Sequence, residues 1–141
     1  MRLASLLTLA GLMSATALAE QRPQESAATV KRLHETMIKP ASDIVFAVGR
    51  GAPKNTEEWS AISRAGVTLG SAGNLILASW TDHQVKWTRL SRELVAASRS
   101  ARKAADARNV AALMRASDRL IVVCETCHAA YRQQDQPTSA Q

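Results

Sequence analysis

The chain has 141 residues, with 18 Lys and Arg against 12 Asp and Glu, a formal charge of +6, and aromatic side chains at only 4% of positions. That length is one domain with a modest core. Two cysteines leave no second pair for a further disulfide or thiolate cluster.

The N-terminus carries Arg2 and then an apolar run from Leu3 to Leu18, closing on Ala17-Leu18-Ala19 before Glu20. A positive start, a short Leu/Ala-rich stretch and a small-x-small site read as a secretory signal peptide cleaved after Ala19, too short to be a membrane span. Processing would leave 17 basic against 12 acidic side chains. No later stretch is long and apolar enough to cross a bilayer, so no membrane insertion is expected. An exported chain, periplasmic in a bacterium, rarely meets nucleic acid, so the basic excess is not assigned to it.

The remainder reads as helical. After the polar residues 21–24, residues 25–48 place Val30, His34, Met37, Ala41, Ile44, Val45 and Val48 at spacings of three and four, one continuous helical stripe. Pro40 has no N–H and crowds the preceding turn, so it is expected to kink or split this helix near Lys39. Gly49-Arg50-Gly51-Ala52-Pro53 is a loop. Asn55 or Thr56 caps a second helix, with Glu57 and Glu58 beside its positive end. This helix runs to about Ala78 through Trp59, Ile62, Val67, Leu69 and Leu75-Ile76-Leu77. Gly66, Gly70 and Gly73 weaken it in isolation, though small residues also permit close helix approach.

Thr81 or Asp82 opens a third helix through Val85, Trp87, Leu90, Leu94 and Val95, fading before Ala107. Its stretch Arg92, Arg99, Arg102, Lys103 and Arg108 reads first as a solvated face. The sharper alternative is a docking patch for an acidic redox partner. Asn109 opens a fourth helix with Leu113, Leu120, Ile121, Cys124, His128 and Tyr131 on or near one stripe. Residues 133–141 are polar, contain Pro137 and read as a flexible tail. The expected organisation is a leader over 1–19, one domain over 20–132 and the tail. Four helices with short connections make an all-α, antiparallel four-helix bundle.

The fourth helix holds Cys124-Glu125-Thr126-Cys127-His128, a C-x-x-C-H. That order is the attachment signature of c-type haem: two thiols form thioethers to the porphyrin, and the following imidazole ligates the iron. In a helix, Cys124 and His128 stand one turn apart on one face. Other uses fit less well. A thioredoxin-like pair wants a βαβ setting, zinc wants a second ligand pair that His34 and His83 do not supply by spacing, and a disulfide across three helical residues is poorly formed. One covalent haem c is therefore the expected cofactor.

Leader, four helices and a haem motif on the last of them resemble the class II c-type cytochromes, which comprise cytochrome c′ and its low-spin relatives. Cys127-His128-Ala129-Ala130-Tyr131-Arg132 matches the C-H-x-x-aromatic-Arg ending of that family. The segment Thr29-Val30-Lys31-Arg32-Leu33-His34-Glu35-Thr36-Met37-Ile38-Lys39-Pro40-Ala41-Ser42-Asp43 resembles the first helix of a small periplasmic subgroup. The resemblance implies His128 as proximal iron ligand, a basic residue at Arg132 bordering the proximal pocket, and a distal residue contributed by the first helix. It also implies that a homodimer through the first two helices is open to the chain.

The distal residue separates the functions. His34 falls at the family's Met position and Met37 lies one turn deeper, where the family carries an aliphatic residue. Three alternatives stand: His34 as distal ligand, Met37 as its rival, or no protein ligand. Met37 is equally suited to filling the core, and a buried His34 needs a partner of some kind. Arg132, four residues after His128, approaches the porphyrin or simply sits favourably at a helix C-terminus. Tyr131 and Trp87 are expected on the haem or in the core, Trp59 and Trp80 in core or interface, and His83 in no role. Six-coordinate iron implies an electron carrier serving redox partner proteins; an open distal site implies binding of nitric oxide or carbon monoxide. Neither is an enzyme, and a haem peroxidase is the least favoured reading because no distal Arg–His pair stands out.

Overall fold

The computed structural model describes residues 27–79 and 85–131. The leader with its cleavage site, residues 21–24, Trp80, Thr81, Asp82, His83, Arg132 and the tail lie outside the described residues. Among the described residues the chain forms four helices and no strand: α1 over 27–46, α2 over Thr56–Ser79, α3 over Val85–Asp106 and α4 over Val110–Tyr131. Successive helices run antiparallel. Ser63 of α2 meets Asp106 near the end of α3, while Gly73 of α2 meets Leu94 and Val95. Trp87, near the start of α3, meets Tyr131 at the end of α4.

Local signals start and stop these helices. The Asn55 side-chain oxygen accepts the Glu58 N–H at 2.9 Å, and the Glu58 carboxylate accepts the Lys54 N–H at 2.7 Å. This reciprocal cap settles the choice between Asn55 and Thr56. At the end of α3 the Asn109 N–H donates to the Ala104 carbonyl at 2.9 Å and the Arg108 N–H to Ala105 at 3.0 Å. That pair of bonds turns the chain through Arg108 at φ 49°, the left-handed position with which helices commonly end. The Asn109 side chain then caps α4 by accepting the Ala112 N–H at 2.9 Å.

The tightest seam lies between α2 and α3. Ala65, Gly66, Leu69, Ala72, Gly73 and Ile76 are all buried along α2, so its inward stripe is built largely from small residues. Val67 and Leu75, expected on that stripe, are 49% and 48% exposed. The packing face follows the close approach that Gly and Ala permit, and the larger apolar side chains are left outside. A Cβ on Gly66 would stand 2.9 Å from the Arg102 Cβ and 3.0 Å from the Ser98 carbonyl oxygen, whereas one on Gly70 would meet nothing closer than 3.9 Å. Gly66→Ala is therefore expected to cost about 1–3 kcal/mol in overpacking, beyond the roughly 1 kcal/mol its helix propensity returns. Gly70→Ala should raise stability by about 0.5–1 kcal/mol. Thermal unfolding of the two variants checks the pair, which must shift in opposite directions.

Pro40 neither splits nor ends α1. The turn before it widens into a π-turn over His34–Ile38, in which the Lys39 N–H reaches back to the His34 carbonyl, and α-helix resumes over Lys39–Phe46. Opening the turn relieves the ring's clash with the preceding carbonyl without breaking the rod. It also changes which side chains share a face. More residues fit in the wide turn, so Ile38 rather than Met37 comes nearly under His34. Ile38 is buried at 6% exposure, and Met37 packs from the margin. Beyond Phe46 a short 3-10 turn, Ala47–Arg50, carries the buried Val48 before the loop. Helix α1 leans mainly on α2 and meets α4 sparsely.

Candidate functional site

The sparse seam between α1 and α4 opens into a cavity of about 360 Å³ at the end of the bundle where α4 finishes. Helix α4 contributes Cys124, Cys127, His128 and Tyr131, which its turn-by-turn spacing puts along one wall. Facing them, α1 supplies Val30, His34 and Ile38, with Lys31 and Glu35 also on the lining. Helix α3 closes the floor with Trp87, Leu90, Ser91 and Leu94, and Ile76 reaches in from α2.

The His34 and His128 rings stand 5.3 Å apart between centroids, inclined at 60°. They come from opposite walls, so the two imidazoles meet across the cavity. Trp87 is held from behind: its indole N–H donates to the Ile76 carbonyl at 3.2 Å, and its ring meets Tyr131 edge to face at 5.0 Å. Such an edge-on pair contributes about 0.5–1.5 kcal/mol beyond area burial and fixes the apolar floor. Both cysteines are free and half-buried.

Burial pushes the Cys124 thiol up, and Cys127 and Glu125 beside it add to the rise; burial alone raises Cys127. The Tyr131 hydroxyl is raised too, by burial first and then by Cys127, with Arg89 opposing. At neutral pH the thiols are thus protonated more fully than free cysteine. Since the thiolate is the nucleophile, alkylation of the cofactor-free protein by iodoacetamide should be slower than that of a free thiol at pH 7–8. The gap should close only as pH rises past the ordinary thiol range; a rate profile over pH checks it, and faster alkylation than free cysteine would refute it.

No family model, curated protein or solved structure matches the chain. The geometry therefore stands by itself.

Of the residues singled out from sequence, the fold brings together Cys124, Cys127, His128, His34, Trp87 and Tyr131. It does not bring Met37 to them. Met37 lines a separate groove between α1 and α2, with Pro40, Ala61, Arg64 and Thr68, because the π-turn rotates it off the His34 face. Trp59 is buried in the core. Ser91, Leu90, Lys31 and Glu35 were not anticipated. Ser91 carried a signal: it occupies the inward stripe Trp87-Leu90-Ser91-Leu94, where a polar residue is out of place. It is 4% exposed, borders the cavity, and its hydroxyl has no hydrogen bond to another described residue.

Among the described residues no three His, Cys, Asp or Glu side chains converge as a metal cage. What the protein offers an ion is two imidazoles facing each other, with two thiols beside one of them. A ligated imidazole nitrogen lies about 2 Å from its metal, which sets two opposed rings about 6 Å apart between centroids. The observed 5.3 Å, with the rings inclined at 60°, is shorter than that and is an edge contact between the rings themselves; the cavity they border is lined largely by apolar side chains. Two thiols beside one imidazole, with a second imidazole opposite, are donors of the type that could hold a haem.

Proposed function

We propose that the chain is an exported monohaem c-type cytochrome that transfers electrons, with haem held by thioethers at Cys124 and Cys127 and ligated by His128 and His34. The observation that carries this reading is the 5.3 Å meeting of His34 with His128 directly beside the two thiols. Bound haem would supply an iron that accepts and returns one electron.

The protein's own residues do the rest. Cys124 and Cys127 would hold the group covalently, and His128 and His34, from facing helices, would supply its nitrogen ligands. Trp87, Leu90, Leu94 and Ile38 exclude water from the space between, and a dry apolar shell is one of the levers that sets potential. Lys31, on the lining, would be available as a cation for the carboxylates of such a group. With His34 rather than Met37 presented to His128, both imidazoles would be available to hold the iron, which favours electron transfer over gas binding. An imidazole in place of a thioether also favours ferric iron, so the potential should lie below that of a His/Met relative.

The test is a visible spectrum of the protein purified from a host able to mature c-type cytochromes. Sharp low-spin bands on reduction, unchanged by carbon monoxide, are expected. A broad high-spin spectrum that shifts with carbon monoxide would replace this reading with a gas-binding one, and a colourless product would end both.

A further inference from the structure

The basic stretch along α3 divides in two on the folded chain. Arg102 turns toward α2, pairing with Asp106 at 3.4 Å, and Asp106 also accepts from Ser63. Arg108 is engaged at the same end, its guanidinium donating to Thr56 at 3.0 Å. Lys103 does something else. It lines a groove of about 400 Å³ between α3 and α4, where Arg115 and Arg119 of α4 stand one turn apart. Arg99, one turn before Lys103, extends the same cationic face. All four side chains are exposed, and none has an ion-pair partner among the described residues.

Like charges one turn apart destabilise a helix; here Arg115 and Arg119 form such a pair on the cleft itself and Lys103 lines it from the facing helix, with Arg99 one turn before Lys103 forming a second pair beside it. The acids nearest in sequence do not relieve them, since Asp106 is held on the α2 side and Asp118 does not line the groove. The floor is Ala104, Ala107, Ala112 and Ala116, small residues that leave depth between the cationic lips. We propose that this groove docks an acidic polypeptide segment of a partner protein, its carboxylates entering between Lys103, Arg115 and Arg119. A bilayer surface also carries negative charge, but a concave cleft suits side chains that can enter it better than a flat sheet of headgroups. The groove lies at the far end of the bundle from the cavity, Arg119 being about 13 Å from His128 along the helix axis. The proposal does not depend on what the cavity holds.

The test uses the full processed chain and fluorescent poly-L-glutamate as probe, at about 50 mM salt, where surface charges are still incompletely screened. The triple variant K103E/R115E/R119E is compared with R32E/R50E/K86E, which changes net charge equally at exposed positions elsewhere. Binding should fall roughly tenfold or more in the groove variant and less than threefold in the control. In the unsubstituted protein, amide shifts on titration should concentrate at Ala104, Ala112 and Ala116, a measurement that does not rely on any variant folding. Equal loss in both triples, shifts elsewhere, no binding at all, or binding to phosphatidylglycerol vesicles in preference to poly-L-glutamate would each overturn the proposal.

Discussion

A protein carrying Cys124→Ser and Cys127→Ser together is expected to release all of its pigment into acidified organic solvent, while the unsubstituted protein retains it. The two thiols are the chain's only cysteines, and both border the cavity beside His128, so no other sulfur is placed to take over. The single variants should differ from the double. Either remaining thiol can hold one thioether, so each should give reduced but acid-stable colour, with a shifted reduced band from the unreacted vinyl group. The readout is covalent retention, which is independent of whether the apolar cavity still binds haem reversibly. Full acid-stable colour in the double variant would eliminate the attachment proposed here.

His34→Ala should change the electronic state of the bound iron without detaching it. The half-buried side chain faces His128 on the cavity wall, on a helix that meets α4 sparsely, so its removal is expected to leave the rest of the bundle packed. Expected are loss of the low-spin spectrum, appearance of a high-spin one and acquisition of carbon monoxide binding. Restoration of the low-spin bands by added imidazole would tie the change to ligation rather than to misfolding. Met37→Ala should leave the spectrum as it was and cost about 1 kcal/mol of stability, less than a fully buried methionine would, because its side chain is only partly buried. The reverse pattern, a spectrum indifferent to His34 and sensitive to Met37, would reassign the distal ligand and raise the expected potential.

Much of this architecture was legible because its signals are local. Asn55 with Glu58, Asn109, and the Gly–Pro loop mark helix ends through bonds that reach only three or four residues. The C-x-x-C-H order is local too, and the helix around it puts its donors on one wall. What could not be read depended on partners far along the chain. The inward face of α2 runs through Gly66 and Gly73, and only the approach of Ser98, Arg102 and Val95 reveals why small residues and not Val67 or Leu75 belong there. Met37 stood as a rival to His34 because both sit on a regular helical stripe; the accommodation of Pro40 by a wider turn takes Met37 off that face. Ser91 and Lys31 became site residues only when α3 and α1 were laid against α4. The split of the basic stretch likewise required Asp106 and Thr56 to claim Arg102 and Arg108.

The uneven seams of the bundle bear on how such a protein could be assembled. Helices α2 and α3 interlock backbone to backbone, while α1 rests on the group with little hold on α4. The near wall of the cavity is thus the piece most easily lifted while the remainder keeps its shape, a condition in which amide exchange would run fastest along α1. On the proposed reading, an enzyme delivering a rigid tetrapyrrole to two half-hidden sulfurs would need a door of that kind, and the closing of α1 would bring the second imidazole into place only after the cargo is aboard.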